Sequence, residues 1–164
     1  MKRKKRIEFY PIGIIETPYD ESINIPIQGS FDKETKGCVN LYQEFQEGLK
    51  DLDGFTHAYL IYFFHKAHKT TLVGKPFLED ADHGVFAIRS HFRPNKIGFT
   101  LVRIERMVEN RLYFTGVDML NGSPVLDIKP FVNEFDRVEN AVSGWTEKHF
   151  QGSRFPERVI LNKK

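Results

Sequence analysis

Apolar and polar positions alternate at period two over several short stretches of this chain. From Phe9 to Ile15, Ile12 and Ile14 fall at that spacing between Pro11 and Pro18, which predicts an early strand. Gly37 to Leu41 predicts a second. Phe55 to Phe64 is the most hydrophobic strand, carrying Ala58-Tyr59-Leu60-Ile61-Tyr62-Phe63-Phe64 and closed by His65-Lys66-Ala67-His68. Val85 to Ile88 predicts a further compact strand that runs into a charged segment. Thr100 to Arg106 sets Leu101, Arg103 and Glu105 against Val102 and Ile104, and Leu112 to Thr115 answers it across the turn-forming pair Glu109-Asn110, which predicts a hairpin. Leu120-Asn121-Gly122-Ser123 is the strongest short turn signal, because Asn-Gly tolerates positive φ at both central positions. Extended structure resumes from Val125 to Ile128.

Helical spacing links Leu41, Phe45, Leu49 and Leu52, with Gln43, Glu44, Gln46 and Glu47 between them, so an amphipathic helix with its apolar face in the core is expected to end near Asp53-Gly54. Tyr19 to Ser30 is a long polar connection containing Ile25-Pro26-Ile27-Gln28-Gly29. Lys69 to Gly84, with Pro76 and Glu79-Asp80-Ala81-Asp82, predicts an exposed, mobile loop. After Pro130 the pattern fades. A helix is expected around Trp145 between Ala141 and Phe150, packing the tail onto the domain or a second subunit, and a final strand or arm from Phe155 to Leu161. The whole reads as mainly β, with roughly six to eight short strands at barrel or sandwich spacing.

Size and charge narrow the picture modestly. The 164 residues fit one domain, and a formal charge of +2 does not by itself imply a nucleic-acid partner, although Met1 to Arg6 gathers five basic side chains. Cys38 is the single cysteine, which excludes an intrachain disulfide and fits a reducing compartment. No apolar run reaches the roughly 18 residues of a membrane span, and the basic start lacks the apolar region of a secretion signal. A cytoplasmic protein is expected.

Candidate chemistry concentrates between Gly84 and Pro130. Two runs there, Arg89-Ser90-His91-Phe92-Arg93-Pro94-Asn95-Lys96-Ile97-Gly98 and Gly116 to Pro130, set charged side chains beside the turn-fixing residues Gly, Pro and Asn. They predict a site on a sheet rim. His57, His65, His68, His83 and His91 raise a metal reading, but His65-x-x-His68 is the one tight pair and no thiolates accompany it, so no metal is expected. The chain has no Gly-x-Ser-x-Gly elbow and no Gly-x-Gly-x-x-Gly or Gly-x-x-x-x-Gly-Lys run, which disfavours a serine hydrolase and the usual nucleotide folds.

The two runs resemble the TsaA-like family, the TrmO-type S-adenosylmethionine-dependent tRNA methyltransferases, whose hallmarks read approximately Arg-Ser-x-x-Arg-Pro-Asn-Pro-Ile-Gly and Asp-x-Leu-Asp-Gly-Thr-Pro-Val-Leu-Asp-Ile-Lys-Pro-Tyr. The resemblance extends more weakly over Ile12 to Ile15, Gly37 to Leu41 and Gly48 to His57. It implies a single-sheet β-barrel with a few short helices, a homodimer with the cofactor near the subunit interface, and methylation of N6 of a threonylcarbamoyl-modified adenosine beside the tRNA anticodon. The implied division is a basic N-terminus (1–6), a barrel domain (7–131) and a C-terminal helix and arm (132–164). Residues 132–164 are not expected to contain the small C-terminal domain of longer members, which leaves tRNA docking to the barrel, the tail or the basic start.

Carried over residue by residue, the implied cofactor contacts are Pro26, Ile27 and Gln28; His65 and Lys66; Arg89; Phe99; and Leu120, Asn121, Gly122 and Ser123. Arg89 leads on physical grounds, because a guanidinium fork grips the cofactor's carboxylate at two points. The sulfonium needs carbonyls, carboxylate or an aromatic face, for which Phe99 and the Leu120 turn are candidates. Arg93, Asn95, Asp118, Asp127 and Lys129 are candidate substrate contacts. Arg93 fits a carboxylate grip, a tRNA phosphate or a plain ion pair, and Asp118 or Asp127 fits either an acceptor of an amine hydrogen or a turn former. No general base is assigned, since alignment and dehydration can supply much of the rate of an in-line methyl displacement. Two departures around the implied pocket are marked, Ile27 in place of an arginine of the family pattern and Lys96 in place of its second proline, and Asn121, Ser123 and Phe131 are milder changes. The alternatives are a non-catalytic barrel binding an adenosine-type ligand or RNA, and a metal-dependent hydrolase built on His65 and His68.

Overall fold

The period-two segments close into one antiparallel barrel in the computed structural model, which describes residues 5–22 and 25–150. Its strands are β1 (Gly13–Glu16), β2 (Lys36–Leu41), β3 (His57–Phe63), β6 (Ile97–Val108), β7 (Arg111–Thr115) and β8 (Ser123–Pro130). Around the barrel they run β1, β2, β7, β6, β3, β8, and β8 pairs back to β1 through Gly13 and Val125. Two more strands, β4 (Val73–Gly74) and β5 (His83–Gly84), form a separate ribbon. Alternation decides which side chains point inward. Ala58, Leu60 and Tyr62 of β3 face Val102 and Thr100 of β6, with Ile15, Val39, Leu112, Phe114 and Val125 completing a core sealed from solvent. Closure leaves the barrel itself without an edge strand.

The hairpin expected across Glu109-Asn110 is present, with Glu109 in the left-handed region at φ 53°. Asn110 fixes the bend from its side chain, donating through Nδ2 to the Leu41 carbonyl and to Asn40 Oδ1. Irregular residues 116–122 then close the lower part of the core with Val117 and Met119, both buried.

Four local expectations change. The first strand is shorter than Phe9 to Ile15 and begins at Gly13. Val85 to Ile88 is not a strand but a 3-10 turn, Val85–Ala87, in which Val85 and Ile88 are buried while Phe86 is 80% exposed. Burial three residues apart is the signature of that tighter helix, and in so short an apolar run it looks like a strand. The amphipathic helix resolves into 3-10 pieces, Gln43–Leu49 and Leu52–Gly54, that bury Leu49 and Leu52 and leave Phe45 exposed. The break falls where Asp51 takes φ 65°. Beyond the barrel, α1 (Asn133–Asp136) and a 3-10 helix, Gly144–His149, replace the single helix expected between Ala141 and Phe150. The basic start as far as Lys4 and the expected arm at Phe155–Leu161 lie outside the described residues.

Candidate active site

Asp118 ties together the elements that carry the candidate residues. Its Oδ2 accepts the Gly29 backbone N–H at 2.9 Å and its Oδ1 accepts the Thr100 hydroxyl at 2.6 Å, so it joins the Ile25–Phe31 loop to β6. The loop can approach this closely because Gly29 has no side chain: a Cβ there would lie 1.9 Å from the Gly116 carbonyl oxygen. Burial raises the Asp118 pKa to about 6, against the opposing pull of Thr100, the Gly29 N–H and the Arg89 charge. Tyr62 reaches the same cluster from β3, and burial followed by the Asp118 charge pushes its phenol above the ordinary range. Room for that ring comes from Gly98, where a Cβ would come within 2.4 Å of it.

From this base Arg89 and Gln28 meet. Arg89 Nη1 donates to Gln28 Oε1 at 2.5 Å, and Gln28 Nε2 donates to the Ile27 carbonyl at 2.7 Å, which orients the amide. Arg89 is exposed, and among the described residues it forms no salt bridge. It is a cation held in place without a counter-carboxylate on its guanidinium.

The second group surrounds the turn at Leu120–Ser123. Ser123 N–H donates to the Leu120 carbonyl at 3.2 Å and Gly122 takes φ 76°, while Asn121 stays outside the left-handed region. One positive φ at the third position makes this a type II geometry rather than the doubly positive hairpin bend, and irregular chain rather than a strand precedes it. The turn is fastened on both sides: Asn121 N–H donates to the Tyr19 carbonyl at 2.7 Å, Gly122 N–H to the Ile15 carbonyl at 2.8 Å, and Asn121 Nδ2 to Asp20 Oδ1 at 2.9 Å. Lys66 Nζ donates to the Asp20 carbonyl at 2.6 Å, and His65 Nδ1 lies 3.4 Å from Ser123 Oγ. Burial, then the Lys66 charge, lowers the His65 pKa, so the imidazole is neutral at pH 7. Residues 116–123 are therefore a common wall, holding Gly29 and Thr100 at Asp118 and Tyr19, Asp20 and His65 at the turn.

The remaining arginine run caps the end of β3. Phe64 N–H donates to the Lys96 carbonyl at 2.8 Å, His91 packs edge-on against Phe64, and Lys69 lies 4.4 Å from the Phe92 ring centroid. Lys96 adopts φ 52°. Proline cannot take that angle, so the proline of the family pattern would not fit this turn as it stands.

Of the sequence-derived candidates, the structure brings Gln28 to Arg89, Ser123 and Gly122 to His65, and Lys66 to Asn121 through Asp20. Pro26 and Ile27 are half-buried in the same loop as Gln28, and Leu120 is half-buried in the turn. Phe99 is placed elsewhere. It is 45% exposed on the outer barrel face, stacked on Tyr59 at 4.7 Å between ring centroids, because Gly98 and Thr100 take the inward positions. Asp127 and Lys129 also face outward and pair with each other at 2.9 Å. Arg93 and Asn95 belong to the 93–96 turn, where Lys96 N–H donates to the Arg93 carbonyl, and among the described residues Arg93 forms no ion pair. Sequence reasoning missed Gly29, Thr100, Tyr62, Tyr19 and Asp20. Only the Gly29 signal was visible, as the glycine that ends the Ile25-Pro26-Ile27-Gln28 run of a polar connection.

Other chemistry finds little support in the geometry. Among the described residues no His, Cys, Asp or Glu group suited to a metal ion is present, and His65 and His68 differ in setting, one against Ser123 and the other exposed. Cys38 is buried in β2, where burial raises its pKa and makes the thiolate scarce.

Fold and site together define a small closed β-barrel whose candidate site is built from loops around an arginine that forms no salt bridge among the described residues, unlike the α/β folds that hold nucleotides on glycine-rich turns. The profile of the tRNA-methyltransferase O N-terminal domain matches residues 14–137, and the chain belongs to that family. It is 47% identical over 141 residues to a protein of Pyrococcus abyssi named a probable S-adenosyl-L-methionine-binding protein, covering 86% of this chain and 77% of the other. It is 36% identical over 137 residues to the mouse tRNA (adenine(37)-N6)-methyltransferase, covering 79% of this chain but 32% of that enzyme. A crystal structure of TrmO from Pseudomonas aeruginosa superposes with a TM-score of 0.73 at 31% identity, over 96% of this chain and 80% of the other.

Proposed function

We propose that this chain is an S-adenosylmethionine-dependent methyltransferase that acts on N6 of the adenosine beside the tRNA anticodon, in its threonylcarbamoyl-modified form. The observation that carries the reading is the Arg89–Gln28 pair, an exposed guanidinium fixed from behind that forms no salt bridge among the described residues. That is what a ligand bearing a carboxylate requires. Relatives named for binding S-adenosylmethionine and for methylating adenine 37 of tRNA supply the cofactor and the substrate class.

The donor set fits the cofactor. When bound, S-adenosylmethionine supplies an electrophilic methyl group on a sulfonium. On this chain, Arg89 binds the carboxylate and Gln28 orients Arg89. The neutral His65 and the backbone of the Leu120–Ser123 turn offer dipoles rather than positive charge to a cationic centre. Asp118 accepts from both Gly29 and Thr100 and so works as a clamp between the Gln28 loop and β6. Positioning and exclusion of water then carry the rate.

The RNA part of the reading draws support from Lys69, Arg93 and Lys96, cations around the arginine run that form no ion pair among the described residues. A homodimer is part of the proposal. Tyr59, Phe63, Phe99 and Leu101 make an apolar outer face on β3 and β6, which a second copy would cover, bringing Phe99 toward a cofactor at that copy's Arg89 loop. A cytoplasmic setting follows from a tRNA substrate; among the described residues no helix is long and apolar enough to cross a membrane.

The test is transfer of a labelled methyl group from S-adenosylmethionine to tRNA with and without the threonylcarbamoyl modification, followed by nucleoside mass spectrometry. Label in an N6-methylated threonylcarbamoyl adenosine supports the reading. Tight cofactor binding without transfer to either tRNA favours a binding-only barrel.

A further inference from the structure

Residues 144–150 lie beyond the family-matched region, which ends at residue 137, yet they pack against both loops that carry the Arg89–Gln28 pair. Trp145 Nε1 donates to the Ala87 carbonyl at 2.8 Å, two positions before Arg89. The same indole stacks on His83, with 4.4 Å between ring centroids and 23° between planes. Five residues on, Phe150 stacks against Phe31 at 6.2 Å, and Phe31 N–H donates to the Gln28 carbonyl at 3.0 Å.

The segment is clamped from beneath by one carboxylate. Glu79 Oε1 contacts His83 Nε2 at 2.6 Å, and its Oε2 contacts Lys148 Nζ at 2.5 Å and His149 Nε2 at 2.8 Å. The Lys148, His149 and His83 hydrogen bonds together pull the Glu79 pKa down to about 2. Glu79 thus fixes the face on which Trp145 stacks and the turn that carries Trp145.

We infer that Trp145 is a positioning residue for cofactor binding, acting through Arg89, and that residues 144–150 brace the two loops that carry Arg89 and Gln28. The inference rests on the reading of Arg89 as the carboxylate grip. An exposed arginine on a loop loses backbone as well as side-chain freedom when it binds; a fixed backbone at Ala87 removes part of the backbone cost in advance, and Gln28 restrains the side chain. Val85 and Ile88 anchor the inner side of the turn, and Trp145 anchors the outer.

The experiment uses the full chain with Trp145→Phe, which keeps a ring over His83 and deletes the N–H donor, and Glu79→Gln, which keeps hydrogen bonding and deletes the charge. Calorimetry with S-adenosylhomocysteine and steady-state methyl transfer are run on each, with thermal melts to establish that the variants are folded. Trp145→Phe is expected to raise the cofactor Kd and KM about threefold to tenfold, the range of one net hydrogen bond, with kcat nearly unchanged. Glu79→Gln shifts them in the same direction. In an Arg89→Lys background the Trp145→Phe effect should shrink to less than about twofold, because residues acting through one another are not additive. Equal factors in both backgrounds, or unaltered affinity in both single variants, overturns the inference while leaving the proposed function standing. A wild-type chain that binds no S-adenosylhomocysteine overturns that function, and the inference with it.

Discussion

Arg89 and Gln28, 61 positions apart in the chain, are joined by a hydrogen bond from guanidinium to side-chain amide. Neither residue belongs to a strand, and the pair exists because Asp118 draws the Gln28–Gly29 backbone against β6 while the Val85–Ala87 turn delivers Arg89 from the other side.

Removing the guanidinium should weaken ligand binding far more than folding. Arg89→Ala is expected to raise the cofactor Kd by about 10- to 100-fold, the range of a hydrogen bond to a charged group, and to change unfolding free energy by less than about 0.5 kcal/mol at an exposed position. Gln28→Ala should give a smaller loss of affinity in the same calorimetric experiment. An Arg89→Ala chain that binds normally removes this residue from the site.

Asp118 makes a prediction about pH. Its folded pKa, about 6, lies above the ordinary aspartate value of 3.8, so between those values the folded chain holds more proton than the unfolded one. Its contribution therefore makes stability fall as pH rises from about 4 to 6 and stay level above. Asp118→Asn can still accept from Gly29 and donate to Thr100, so it should abolish this slope at little cost at pH 7. Asp118→Leu strands both partners and should cost about 1–3 kcal/mol for each. Urea unfolding across that pH range reads both effects.

Gly29→Ala places a methyl 1.9 Å from the Gly116 carbonyl oxygen, a contact that only backbone movement can relieve. The loop must lift from Asp118. Stability should drop by about 2 kcal/mol or more, and cofactor affinity should fall with it, because Gln28 moves with its neighbour. A variant with wild-type melting temperature and affinity would show that the loop is not pinned as described.

Lys96 is held at φ 52°, where a side chain is strained and glycine is not. Lys96→Gly should be neutral or stabilising by up to about 1 kcal/mol. Lys96→Pro, which restores the family pattern, should destabilise by about 2 kcal/mol or more unless the 93–96 turn rearranges. Chemical denaturation of the two variants compares them directly.

The barrel was legible in the chain because period two is a strong signal when one face is buried: Thr100–Arg106 and Leu112–Thr115 pair across Glu109-Asn110 as expected, apart from a register shift between Ile104 and Arg106 that the alternation did not announce. Val85–Ile88 misled because four apolar residues do not distinguish a strand from a tight turn. The candidate site was legible where it depended on residue type, as at Arg89, Gln28 and the Asn121-Gly122 bend. It was illegible where it depended on long-range approach. Nothing local to Tyr62 or Thr100 announces that their hydroxyls share Asp118, and Phe99 looked equivalent to its neighbours until the pleat placed it outside. Glu79, expected in a mobile acidic loop, anchors the C-terminal segment because its three partners come from elsewhere in the fold or from the next turn.

The most direct test of the account is a crystal structure with S-adenosylhomocysteine bound. The account predicts the ligand's carboxylate within hydrogen-bonding distance of Arg89, with Gln28 still supporting the guanidinium and the Leu120–Ser123 turn of the same or a second copy lining the ligand. A ligand bound away from Arg89, or one whose carboxylate is held by other groups while Arg89 points into solvent, would contradict it.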